Sequence, residues 1–230
     1  MYFPLSVFNC LTEFMSESSN LPMNFGGIGE SKYSALDAAR VVVLPVSYEG
    51  TVSYGTGTGA GAMAIVDASR NMELYEEETD TEVYKIGIHT LDEFRSRPTP
   101  ELMMDSLYLH AVEILKKEKF LCTLGGEHSI SAPIIRAHAE RYHNLSVLQI
   151  DAHADLRDTY DGTPHSHASI MARVVKRDRA RNECEAKVTP PDGTCGHQAA
   201  RRGCQAACSS SAWRSASALA SCAAFFNQAS

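Results

Sequence analysis

"LSVLQIDAHADLRD", residues 145–158, runs from an apolar segment into a polar one in which Asp151, His153 and Asp155 recur at every second position. Residues 145–150 read as a strand buried on both faces, the kind that parallel sheets use. Alternate residues of an extended chain point the same way, so two carboxylates and an imidazole at this spacing can converge on one spot just beyond the strand.

Upstream of this stretch, strands and helices alternate. "RVVVLPV" (40–46) is a β-branched run that Pro45 is expected to end, and "VYKIGI" (83–88) is a second strand candidate. In residues 101–120, Met103, Leu107, Ala111 and Ile114 recur at spacings of four, four and three, which predicts one apolar stripe along an amphipathic helix. "FLCTL" (120–124) predicts a strand that leads into the turn "GGEH", and residues 129–143 predict a helix opened by a serine cap. The order implies an α/β fold with helices on the faces of a parallel sheet. In such sheets ligands gather beyond the carboxyl ends of the strands, where both "GGEH" and "DAHAD" fall.

His128 from one strand end thus joins Asp151, His153 and Asp155 from another. Oxygen and nitrogen donors without thiolate suit manganese, iron or zinc and argue against an iron–sulfur or structural zinc site. The alternative is a solvated acidic loop around a surface histidine. A second cluster after a second strand favours the metal reading. "GTGTGAGA" (55–62) lacks the Lys-Ser/Thr of a phosphate loop, so nucleotide binding is not expected. His89, His110, His138 and His143 have no spaced partners and read as surface or helix residues, and Cys122 reads as a small buried hydrophobe.

Composition sets bounds. The 230 residues suffice for one substantial core. The opening residues lack a basic leader region and no run is long enough to span a membrane, so the expected setting is cytoplasmic, with no membrane partner. Seven cysteines, an odd number, argue against a disulfide framework. Residues 1–175 carry 13 basic and 24 acidic side chains, a net −11, whereas residues 176–230 carry 8 and 4, a net +4. The acidic part favours approach of a cationic ligand. The basic excess of the remainder is scattered, so no nucleic-acid partner is expected.

"GGEHSI", then "DAHADLRD", then "SHAS" together resemble the arginase and agmatinase family of ureohydrolases. "NFGGIG", "VVVLPVSYEGTVSYGTGTG" and "DASRNMELYEEET" resemble the amino-terminal part of bacterial agmatinases, so the resemblance runs from about Asn24 to Val175. It implies a three-layer α/β/α sandwich on a parallel sheet and a pair of manganese ions. His128 would bind one ion, Asp151 would bridge both, His153 would bind the second, and Asp155 would return to the first. His167 would shuttle a proton near the substrate, with His165 the competing candidate. The implied reaction is hydrolysis of a guanidino group, agmatine giving urea and putrescine, by attack of a hydroxide bridging the two ions. The implied assembly is a homo-oligomer.

Beyond Val175 the resemblance stops. Family members continue with a segment of the form S-x-D-x-D-x-x-D-P, whose aspartates complete both metal sites, and with a later glutamate that contacts the guanidinium. Residues 176–230 contain neither and are rich in Ala, Arg, Cys and Ser, as a frameshifted or chimeric end would be. The expectation is an arginase-like part over residues 1–175, cut short, followed by an aberrant tail over residues 176–230 that is disordered or poorly packed. Such a chain would hold at most one metal and be inactive, which stands as the alternative to an active agmatinase or to an enzyme for arginine or another guanidino acid. Within the tail, Cys184, Cys195, His197, Cys204 and Cys208 offer no C-x-x-C pair, so a zinc site is not expected.

Overall fold

The structure, a computed structural model, describes residues 21–143, 145–181, 186–188 and 222–226. It is an α/β fold of parallel strands flanked by helices, in keeping with the expected arginase-like three-layer sandwich. The chain divides into two compact units.

The first unit lies within Met1–Tyr48, Gly57–Arg95 and Lys117–Gly126. Its central strand β1, Val41–Ser47, is buried along almost its whole length. Strand β2 (Ile88–Thr90) and then β3 (Phe94–Arg95) pair with one side of it, and β4 (Phe120–Gly125) pairs along the other, all in parallel. Pro45 does not end β1 as expected. It has no N–H to give, and it falls between the register of β2, which stops at Val43, and that of β3, which starts at Val46. Helix α1 (Gly61–Ser69) packs on β1 and β4. "VYKIGI" is only half a strand: residues Val83–Ile86 form a 3₁₀ turn, and Gly87 at φ 90° reverses the chain before β2 begins. The Gly87 N–H closes that turn on the carbonyl of Tyr84.

The second unit lies within Glu49–Thr56, Ser96–Lys116 and Glu127–Ser230. Helix α2 (Pro100–Leu115) is capped by Thr99, whose side chain accepts from the Leu102 N–H, with proline at the first helical position as helix geometry favours. Its stripe is as predicted, with Met103, Leu107, Ala111 and Ile114 all buried. Helix α3 (Ser131–Arg141) packs on α2, and Arg136 stacks 3.8 Å from the Tyr108 ring. No serine caps α3, because Ser129 Oγ is turned to Glu127 instead. Strand β5 (Ser146–Ile150) alternates rather than burying both faces: Val147 and Gln149 point inward, while Leu148 and Ile150 are 39% and 54% exposed. Its inner face joins Ile135, Leu145, Ile170, Met171 and Val174 in one apolar cluster.

Helix α4 (Ile170–Arg181) runs straight through Val175, where composition changes. Two short strands follow, β6 (Ala186–Val188) parallel to β5 and β7 (Cys222–Phe226) antiparallel to it. The four-stranded sheet of the first unit is wholly parallel, as expected from sequence, whereas the three-stranded sheet β6-β5-β7 is mixed, and the tail contributes two of its strands where no strand was expected. The cysteines and histidine weighed for zinc in the tail lie outside the described residues. Among the described residues no helix is long and apolar enough to cross a membrane.

Candidate metal centre

β4 leads through Gly126 into a 3₁₀ turn, His128–Ile130, and β5 leads directly into Asp151. His128 Nδ1 lies 3.3 Å from Asp151 Oδ2 and 3.2 Å from Asp155 Oδ2, and all three side chains are nearly buried. Their donor atoms fall within 4.8 Å of one another, the one such cluster among the described residues. Asp155 reaches it from the left-handed region, φ 49°, which aspartate tolerates better than most residues. Its carbonyl accepts from the N–H groups of Met171 and Ala172, so the first turn of α4 holds the end of the loop.

Two nearly buried carboxylates facing an imidazole are costly to bring together without a positive charge between them. One nitrogen and two oxygen donors fit a borderline or hard divalent ion such as manganese or zinc. His153 is not in the cluster. Its backbone N–H donates to Asp151 Oδ1, but its side chain is 83% exposed, with Nδ1 3.6 Å from Asp151.

His167 begins a second 3₁₀ turn, His167–Ser169, which packs against the turn that carries His128. Its Nδ1 lies 3.4 Å from Thr51 Oγ1, its Nε2 lies 3.3 Å from Ser53 Oγ, and its ring meets the Tyr160 ring edge to face, with centroids 5.4 Å apart. Glu127, buried beside His128, accepts from the N–H and the hydroxyl of Thr51 and from Ser129 Oγ. His165 makes none of these contacts; its N–H donates to Thr163 Oγ1 at 3.1 Å.

Sequence reasoning passed over Thr51, Ser53, Glu127, Gln149 and Tyr160. Glu127 lay inside a quoted motif but is not among the donors of the cluster, and Thr51 and Ser53 lay in a segment read only for its resemblance. Of the histidines set aside, His89 sits on β2 with Nδ1 2.8 Å from the Ser34 carbonyl, and His138 is a buried helix residue.

An α/β scaffold that delivers a histidine and two aspartates to one nearly buried spot defines a candidate metal centre. A model of the arginase family matches residues 39–209, past Val175, and the chain belongs to that family. It is 36% identical over 154 residues to the N(1)-aminopropylagmatine ureohydrolase of Synechocystis sp., a match covering 64% of this chain and 50% of that protein. It is 29% identical over 153 residues to the agmatinase of Bacillus cereus, covering 65% and 52%. The chain spans about half the length of these curated relatives. Among solved structures, a hypothetical agmatinase from Burkholderia thailandensis superimposes with a TM-score of 0.60 at 23% identity, over 77% of this chain and 56% of that one, a likeness of fold.

Proposed function

We propose that this chain carries one metal-binding half of an arginase-family ureohydrolase site, in which His128, Asp151 and Asp155 hold a single divalent ion of the manganese type. The observation that supports this is the cluster itself: three donors within 4.8 Å, with His153, which a second ion would need, facing solvent. Held by His128, Asp151 and Asp155, a divalent ion would supply positive charge and acidify water, the help that a guanidinium carbon, a poor electrophile towards neutral water, requires. His167 would move a proton to the departing amine, a role that imidazole chemistry suits.

The substrate class is a small cationic guanidino compound, agmatine giving putrescine and urea, in keeping with the names of the relatives. On this reading the residues that hold the ion and carry the proton lie within residues 1–175, and the chain belongs in the cytoplasm, within a homo-oligomer as the family resemblance implies. The chain alone is a one-ion binder without turnover. The test is urea release from agmatine by the purified chain with added manganese, with metal counted on the same sample. One ion per chain, lost in His128→Ala, with no urea above that control, is expected. Two ions and urea release would overturn the proposal in favour of an active agmatinase.

A further inference from the structure

The contacts around His167 favour one of its ring nitrogens as the proton carrier. Glu127 is buried, and a carboxylate only accepts, so the Thr51 hydroxyl that bonds it has committed its one proton there. Thr51 Oγ1 is left with lone pairs. One accepts the backbone N–H of His167 at 3.1 Å, and the other faces His167 Nδ1 at 3.4 Å. An oxygen with no proton left to give can only accept, so the ring satisfies this contact by carrying its proton on Nδ1. Ser166 Oγ, also 3.4 Å from Nδ1, accepts the Ala168 N–H and has a second lone pair that can share the Nδ1 proton; its own proton is the single one in reach that could meet a bare Nδ1 instead. A lone pair on Nδ1 would instead face the lone pair of Thr51. On the other side, Nε2 lies 3.3 Å from Ser53 Oγ, whose hydroxyl donates to Tyr160 at 3.3 Å; both contacts are exposed, so water can serve Nε2 in either form and the partly buried Nδ1 side decides.

We infer that Glu127, acting through Thr51, is a positioning residue that fixes His167 with its proton on Nδ1 and leaves Nε2 as the nitrogen that exchanges protons at the site. What that exchange serves rests on the function proposed above; the tautomer does not. Glu127 sits next to a metal donor in sequence, yet its oxygens are turned to Thr51 and Ser129, so one turn of chain presents His128 to the ion and organises the proton carrier behind it.

The test is long-range ¹H–¹⁵N correlation of the histidine side chains in the metal-free full chain, at a pH where the His167 ring is neutral and with His167→Gln to assign it. The Nδ1–H form is expected to lead by about tenfold, the net effect of one hydrogen bond. Thr51→Val should bring the two forms to near parity and Thr51→Ser should restore the preference, which a merely structural role for Thr51 would not do. Glu127→Gln, whose amide can donate to Thr51 and free its proton towards Nδ1, should reverse it, and this reading does not depend on the Thr51 variants folding. A parent with Nε2–H, or a preference unmoved in Thr51→Val and Glu127→Gln alike, would overturn the inference. Manganese titration of the same samples, with His128→Ala as control, tests the metal reading separately. A tautomer that shifts as expected in a chain without manganese affinity would support this inference and defeat that reading.

Discussion

Gln149 donates from Nε2 to Asp155 Oδ2 at 3.0 Å, and the same amide reaches the carbonyl of His153 at 3.2 Å. That Asp155 oxygen is the one 3.2 Å from His128, so a buried glutamine on β5 fixes the carboxylate that the histidine meets. Gln149→Leu keeps much of the volume and removes both bonds. Outer partners of this kind typically contribute about 10–100-fold to metal affinity. Manganese titration of the metal-free variant should show a loss in that range, and an affinity equal to the parent's would mean that the loop holds Asp155 without help.

The glutamine also shows what sequence could and could not disclose. The stripe of α2 was legible because helical period converts spacing into a face directly, and Leu107 is fully buried where the spacing puts it. The convergence of His128, Asp151 and Asp155 was legible because a second cluster after a second strand joined the alternation of charged groups. His153 stands apart from them here: period two holds only while the chain stays extended, and the loop bends at Ala152 and His153. Gln149 was absorbed into an apolar run because one polar residue in a strand is invisible until its partner six residues later folds back over it. Thr51 and Glu127 meet across 76 positions, a distance over which no local pattern carries information.

Gly126 has no tolerance for a side chain. A Cβ placed there would stand 2.5 Å from the Tyr48 carbonyl oxygen, 2.8 Å from that of Thr58 and 3.0 Å from the Cα of Gly59. All three are backbone atoms, so no rotamer change relieves the clash. Gly126→Ala should lower the stability of the chain by on the order of 3 kcal/mol, at the upper end of overpacking costs, read as a drop in the urea midpoint. An unchanged midpoint would mean that the loop after Tyr48 yields readily.

His138 links stability to pH. Burial disfavours its charged form and holds its pKa below the ordinary imidazole value, against the smaller opposing effect of its hydrogen bond with the Ile134 carbonyl. His110 is shifted the same way, by burial first and then by the charge of Arg97. As pH falls below about 6.5 the unfolded chain takes up protons that these folded rings refuse. Their contribution is therefore fully present above that value and declines as pH falls towards the folded pKa. The urea midpoint should drop between pH 7.5 and 5.5, and His138→Gln should flatten the slope. A slope identical in the variant would assign the pH dependence to other groups.

His153 separates the geometry seen here from the two-ion arrangement that the family resemblance implies. In this chain its imidazole faces solvent and only its backbone N–H is fixed, by Asp151 Oδ1 at 2.9 Å, a bond that any residue at 153 would make. If one ion is held by His128, Asp151 and Asp155 alone, His153→Ala should change manganese affinity by less than about threefold, whereas Asp155→Ala, which leaves an imidazole and one carboxylate, should weaken it by about a hundredfold or more, the gap between an exposed neighbour and a donor that must compensate for desolvation. Electron paramagnetic resonance of free manganese during titration measures both variants on one scale. A loss in His153→Ala as large as that in Asp155→Ala would show that the imidazole swings inward when the ion binds, and would make the second half of the site reachable from residues this chain already holds.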